Sequence, residues 1–201
     1  MRFFSFLILI ALVTSCDPPS SMENPDFPSR QSLVNEVTNK TIVKLKTESN
    51  LRACGIGSGM MNQIRMLAIS FYYYNEVDVE EARELLMTAG MTFLNTINSN
   101  EKIHPFLQNH PFMPNNIQIA IFLRNPDGSS PDIDKLSVIS MTNGMLTYRT
   151  HHSSNGRLST VFEETFEEAQ AKLNGDIVPI AKRNAPISRK NQQDFERPGL
   201  S

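Results

Sequence analysis

Apolar positions along the chain change their period several times, and each change predicts an element. From about Arg30 to Lys46, Leu33, Val37, Thr41 and Leu45 recur every four residues, which predicts a first helix with a thin apolar face. "NLRACGIG" from Asn50 reads as a strand, with Gly55, Gly57 and Gly59 marking a turn or bulge. The run "IRMLAISFYYYN" at 64–75 ends in β-favouring aromatics and is read as a strand, although its Met, Leu and Ala content also permits a helix.

The clearest pattern follows. Asp78 and Glu81 have capping-box spacing, and Val79, Ala82, Leu86, Ala89, Phe93 and Ile97 share one helical face, with Glu80, Arg83, Glu84 and Asn95 expected to face water. "NIQIAIFLRN" at 116–125 alternates with period two, which predicts a half-buried strand ending at "NPDG". Asn143-Gly144, flanked by β-prone residues, predicts a type I′ hairpin. A two-residue loop there sets Met141 opposite Leu146 and Ile139 opposite Tyr148 on one face, with Ser140 opposite Thr147 on the other. Thr160 and Glu163 are expected to cap a last helix with a stripe of Phe162, Phe166, Ala169 and Leu173, stopped by Gly175.

These elements sum to a single α+β domain over 30–175, a mostly antiparallel sheet with helices packed on one face. Residues 16–29 hold Pro18, Pro19, Pro25 and Pro28 among small polar residues and read as a semi-stiff tether. At about 3.3 Å per extended residue it spans up to roughly 40 Å. Residues 176–201 carry too few large apolar side chains to pack and are expected to form a disordered polar tail, mildly basic through Lys182, Arg183, Arg189, Lys190 and Arg197. A net charge of −2 argues against nucleic acid as a partner, because phosphate neutralisation needs clustered Lys and Arg.

The N-terminus speaks to address. Arg2 precedes the apolar run Phe3–Val13, which is closed by Thr14 and Ser15, the layout of an export signal over 1–15. The run is shorter than the roughly 20 apolar residues of a spanning helix, so it is expected to be removed. Val13 and Ser15 also suit the ordinary secretory peptidase. "VTSC" at 13–16, however, resembles the lipobox of bacterial lipoproteins: an aliphatic residue, two small residues and a cysteine after the apolar run. The resemblance covers the first 16 residues only. It implies a diacylglyceryl group on Cys16, cleavage before Cys16 and acylation of the new amino terminus. Asp17 directly after it resembles the inner-membrane retention signal of enteric lipoproteins.

Two or more acyl chains would hold the domain at a bilayer without any spanning segment, facing the periplasm or exterior. Lipidation of Cys16 leaves Cys54 without an intramolecular partner; without it, a Cys16 to Cys54 bridge stays open. The expected partners are the bilayer, through the acyl chains, and an envelope protein or cell-wall component met by the exposed face of the sheet.

No catalytic residue, cofactor or reaction class is nominated. "CGIGSGMM" lacks the Lys-Ser/Thr pair of a P-loop and has GxGxG rather than GxGxxG spacing. The metal-ligating candidates are His104 and His110 in "HPFLQNHPFMP", and His151 and His152 at a strand end. They carry the alternative reading, a small periplasmic enzyme or metal-binding protein. Adjacent strand residues point to opposite faces, so only one of His151 and His152 can readily join such a site. The other expectation for these loops is that Phe106, Phe112 and Met113 plug the end of the core, with the histidines as turn residues. Glu163, Glu164, Glu167 and Glu168 are expected to form a solvated helix face opposite the Phe stripe.

Overall fold

A computed structural model describes residues 29–151 and 157–175. The signal, the lipobox with Cys16, most of the tether, His152 and the C-terminal tail lie outside the described residues. Helix α1 (Arg30–Ser49) is followed by β1 (Arg52–Met60), β2 (Ile64–Tyr73), α2 (Val79–Asn98), β3 (Ile117–Leu123), β4 (Leu136–Thr142), β5 (Met145–His151), β6 (Leu158–Thr165) and α3 (Phe166–Leu173). Short 3-10 turns occupy His104–Phe106 and Pro114–Asn116.

The strands form one six-stranded sheet in chain order, with β2 and β3 parallel and every other pair antiparallel. The parallel pair follows from connectivity. A short loop can only reverse the chain, whereas the α2 crossover is long enough to return it to the same end of the sheet. The α+β architecture is therefore the one the periodicities predict.

All three helices lie on one face. Helix α2 packs on β3 and β4, with α1 beside it over β1 and α3 beside it over β5 and β6. Beneath them run two core rows across the sheet: Phe71, Ile121, Ile139, Tyr148 and Phe162, and Ile69, Ile119, Met141, Leu146 and Glu164. Gly90 marks the closest approach of α2, since a Cβ there would come within 2.5 Å of Met141 Cε. The Asp78–Glu81 capping box opens α2, each residue's side chain accepting from the other's backbone N–H. The hairpin pairs Met141 with Leu146, Ile139 with Tyr148 and Ser140 with Thr147, and Asn143 and Gly144 both adopt positive φ.

Four expectations need correction. Residues 158–165 form strand β6, and the helix starts at Phe166 behind the cap Thr165, whose side chain accepts from Glu168 N–H. The T-x-x-E spacing occurs twice, at Thr160 and at Thr165, and only the second is used because Thr160, Phe162 and Glu163 of the first pair with β5. Arg83, expected in water, is buried, and so is Glu164, expected on a solvated helix face. The strand expected from Asn50 does form, and of the turn or bulge expected at its glycines the bulge is what the structure holds: the register of β1 shifts at Cys54, beside Gly55, and after Gly59. Met113 is exposed, so Phe112 plugs the core together with Ile103 and Leu107 while Phe106 is half-buried.

Candidate functional site

Three places gather chemistry-bearing side chains. The first lies under the helices. Core row two ends at Glu164 on β6, where an apolar side chain would be expected, and three donors converge on it: Arg83 Nε from α2 at 2.7 Å, Tyr148 Oη from β5 at 2.6 Å and Lys172 Nζ from α3 at 2.5 Å. Phe162 packs beside them, with the Arg83 guanidinium 6.0 Å and the Lys172 ammonium 4.8 Å from its ring centroid. A shallow groove of about 590 Å³, lined by Val79, Glu80, Arg83, Phe162 and Lys172, opens above.

Burial alone would push the Glu164 carboxyl up. Hydrogen bonds from Lys172, Tyr148 and Arg83 outweigh it and hold the group below the ordinary carboxylate value. Burial, then the hydrogen bond to Glu164, pushes the Tyr148 phenol well above its ordinary value. A carboxylate saturated with donors makes a poor proton acceptor, and a phenol held protonated makes a poor base. The cluster therefore ties α2, β5, β6 and α3 together rather than moving protons.

The second place holds the histidines. The structure brings His104 and His110 together with ring centroids 3.7 Å apart and an interplanar angle of 30°. Stacked rings share faces, whereas a metal requires ring nitrogens converging in their planes. His104 Nε2 is moreover 2.9 Å from Asn98 O, and the Asn98 side chain clamps both the N–H and the carbonyl of Phe112. His151 ends β5 on another part of the sheet. Among the described residues no group of three or more His, Cys, Asp or Glu side chains is placed to hold a metal ion. Cys54 is exposed on β1, and desolvation holds its thiol above the ordinary value, the opposite of an activated thiolate.

The third place is the sheet face that carries no helix among the described residues. Its central row is small or short: Gly55, Ser70, Ala120, Ser140, Thr147 and Glu163. The next row, toward the C-terminal ends of β2 and β3, is Arg52, Tyr72, Phe122, Val138, Arg149 and Thr160, with Tyr74 and Arg124 just beyond. Tyr72 stands 5.9 Å from Phe122 and 6.3 Å from Tyr74 between ring centroids. Arg52 lies over the Tyr74 ring at 4.9 Å, and Arg124 over Tyr72 at 5.6 Å.

The alternation of "ISFYYYN" sends Phe71 and Tyr73 to the core side and Tyr72 and Tyr74 outward, so a run of aromatics becomes half core and half surface. None of Arg52, Arg124 and Arg149 makes an ion pair among the described residues. Sequence reasoning points to the bare face but not to these side chains. The alternation in β2 and β3 contains the aromatics, while the arginines become neighbours only through strand order.

An open groove of about 450 Å³ near Glu76, Glu81 and Glu84 completes the survey. Two of its carboxylates are engaged, Glu76 with Lys135 and Glu81 in the α2 cap. No helix among the described residues is long and apolar enough to cross a membrane. Compared with protein-family models, curated proteins and solved structures, the chain matches none.

Proposed function

We propose that this protein is a lipid-anchored bacterial envelope protein whose domain is a binding module, meeting another envelope component through the bare face of its sheet. The observation that carries the binding reading is the Arg–aromatic row on that face. An antiparallel sheet with one solvated face ordinarily dresses it with assorted polar side chains. Here three half-buried aromatics and three arginines that make no ion pair among the described residues cluster at one end instead. Aromatics and Arg are the side chains enriched where surfaces bind. Anchoring rests on the lipobox-like "VTSC" and on the tether, which lets the domain reach away from the lipid.

Two measurements test the two halves. The N-terminal peptide of wild-type protein expressed in a bacterial host should carry diacylglyceryl and acyl mass on Cys16, absent from Cys16→Ala; an unmodified Cys16 would remove the anchor. For the face, maleimide labelling is compared in intact cells and on purified protein, in a Cys54→Ser background. Thr160→Cys, exposed beside Arg149 in the row, should label more slowly in cells, while Glu84→Cys on the helix side should label equally. Equal labelling of both would remove the binding reading.

A further inference from the structure

The Arg–aromatic row runs across the strands. Arg52 stands on β1, Arg124 one residue past the end of β3, and Arg149 on β5. The Arg52 and Arg124 guanidiniums lean over Tyr74 and Tyr72, whose ring centroids are 6.3 Å apart at the end of β2. Phe122 stands beside Tyr72 in the row, and alongside runs the floor of Gly55, Ser70, Ala120 and Ser140, with no bulky side chain to lift a ligand away. On this face of the strands Glu163 is the sole carboxylate, at the far β6 edge and within 3.4 Å of the Thr147 hydroxyl.

A partner that fits must extend across the strands, must carry several anionic groups, and must offer flat, partly apolar faces beside them. From this we infer that the row binds a linear acidic polysaccharide lying across the strands, carboxylates on the three guanidiniums and a sugar ring against Phe122. Guanidiniums recognise carboxylates bidentately, and those of Arg52 and Arg124 are already ordered over aromatic rings, so less side-chain entropy is lost on binding. An acidic peptide would need pockets for its alternate side chains, which this floor does not offer. A lipid surface would need exposed aliphatics beside the cations, and Val138 is the one aliphatic in the row, half-buried.

This inference rests on the binding reading above and names its ligand. The test is fluorescence anisotropy of a fluorescein-labelled polygalacturonate oligomer titrated with the full-length protein in detergent. Saturable binding is expected, weakened at least tenfold by Arg52→Glu with Arg124→Glu, weakened also by Arg149→Glu alone, and reduced by raising the salt. Each variant's melting temperature is measured beside the wild type; Arg52 is exposed, and Arg149 makes no ion pair among the described residues.

No binding of the oligomer, binding that the charge reversals leave intact, or equal affinity for poly-glutamate, polyuridylate or anionic phosphatidylglycerol vesicles would each overturn the inference. If polygalacturonate fails while Thr160→Cys stays protected in cells, the ligand class is wrong and the binding reading stands. If both fail, so does that reading.

Discussion

Arg83 Nε lies 2.7 Å from Glu164 Oε1, joining residues 81 positions apart and tying the middle of α2's first half to the sheet's last strand. Both side chains are buried. Removing one partner of a buried pair leaves the other charge uncompensated, at a cost of about 3–5 kcal/mol. Glu164→Gln and Arg83→Met should each lower the unfolding free energy by about 3 kcal/mol or more by urea denaturation. Lys172→Met should cost less, about 1 kcal/mol, because its side chain is a third exposed and solvent screens it. Equal costs for all three would mean the cluster is not organised around a buried Glu164.

The same carboxylate makes stability depend on pH. Its pKa in the folded protein lies below the ordinary value of 4.5, so the unfolded chain binds the proton more readily. The stabilisation is thus fully present above pH 4.5 and is lost as the pH falls through the folded-state value. The gap in stability between wild type and Glu164→Gln should be constant from pH 6 to 7 and shrink progressively below about pH 4.5. A gap unchanged at pH 3 would contradict the depressed value.

Two glycines with positive φ separate conformational strain from crowding. Gly144 (φ +73°) ends the β4–β5 turn, and a Cβ on it would stand 2.5 Å from Asn115 Oδ1; Gly128 (φ +88°) has nothing within 4 Å. Gly128→Ala should cost roughly 1–2 kcal/mol through its backbone alone. Gly144→Ala should cost roughly 1 kcal/mol more, since Asn115 must move. Thermal unfolding of the two variants side by side measures the difference; a smaller loss at Gly144 would mean Asn115 does not crowd the turn.

For the stacked histidines the expected response to metal is none. With His104 held on Asn98 O and the rings face to face, equimolar zinc should leave the melting temperature unchanged. A ligand that binds the native state at 100 times its dissociation constant adds about 2.7 kcal/mol, a shift calorimetry would register. An upward shift abolished by His104→Ala or His110→Ala would revive the metal-binding alternative.

Local pattern alone determined a good deal of this protein. The period-four face and capping box of α2, the strict alternation of β3, and Asn143-Gly144 with the cross-strand pairs it sets are all readable without knowing any distant neighbour. These signals lie within a few residues of what they specify.

What depended on distant partners was decided only by the tertiary structure. Residues 158–165 read as a helix start because Thr160 and Glu163 have cap spacing, yet β5 offered a free edge with unpaired N–H and C=O groups, and pairing with it satisfied the row. Once 158–165 was a strand, its alternation turned Glu164 inward to where Arg83, Tyr148 and Lys172 could meet it, and turned Glu163 outward. Likewise Arg52, Arg124 and Arg149 are spread over nearly a hundred residues of chain and became one surface through strand order. Burial of charge and assembly of a surface depend on which segments end up adjacent, and hydrophobic periodicity carries no information about that adjacency.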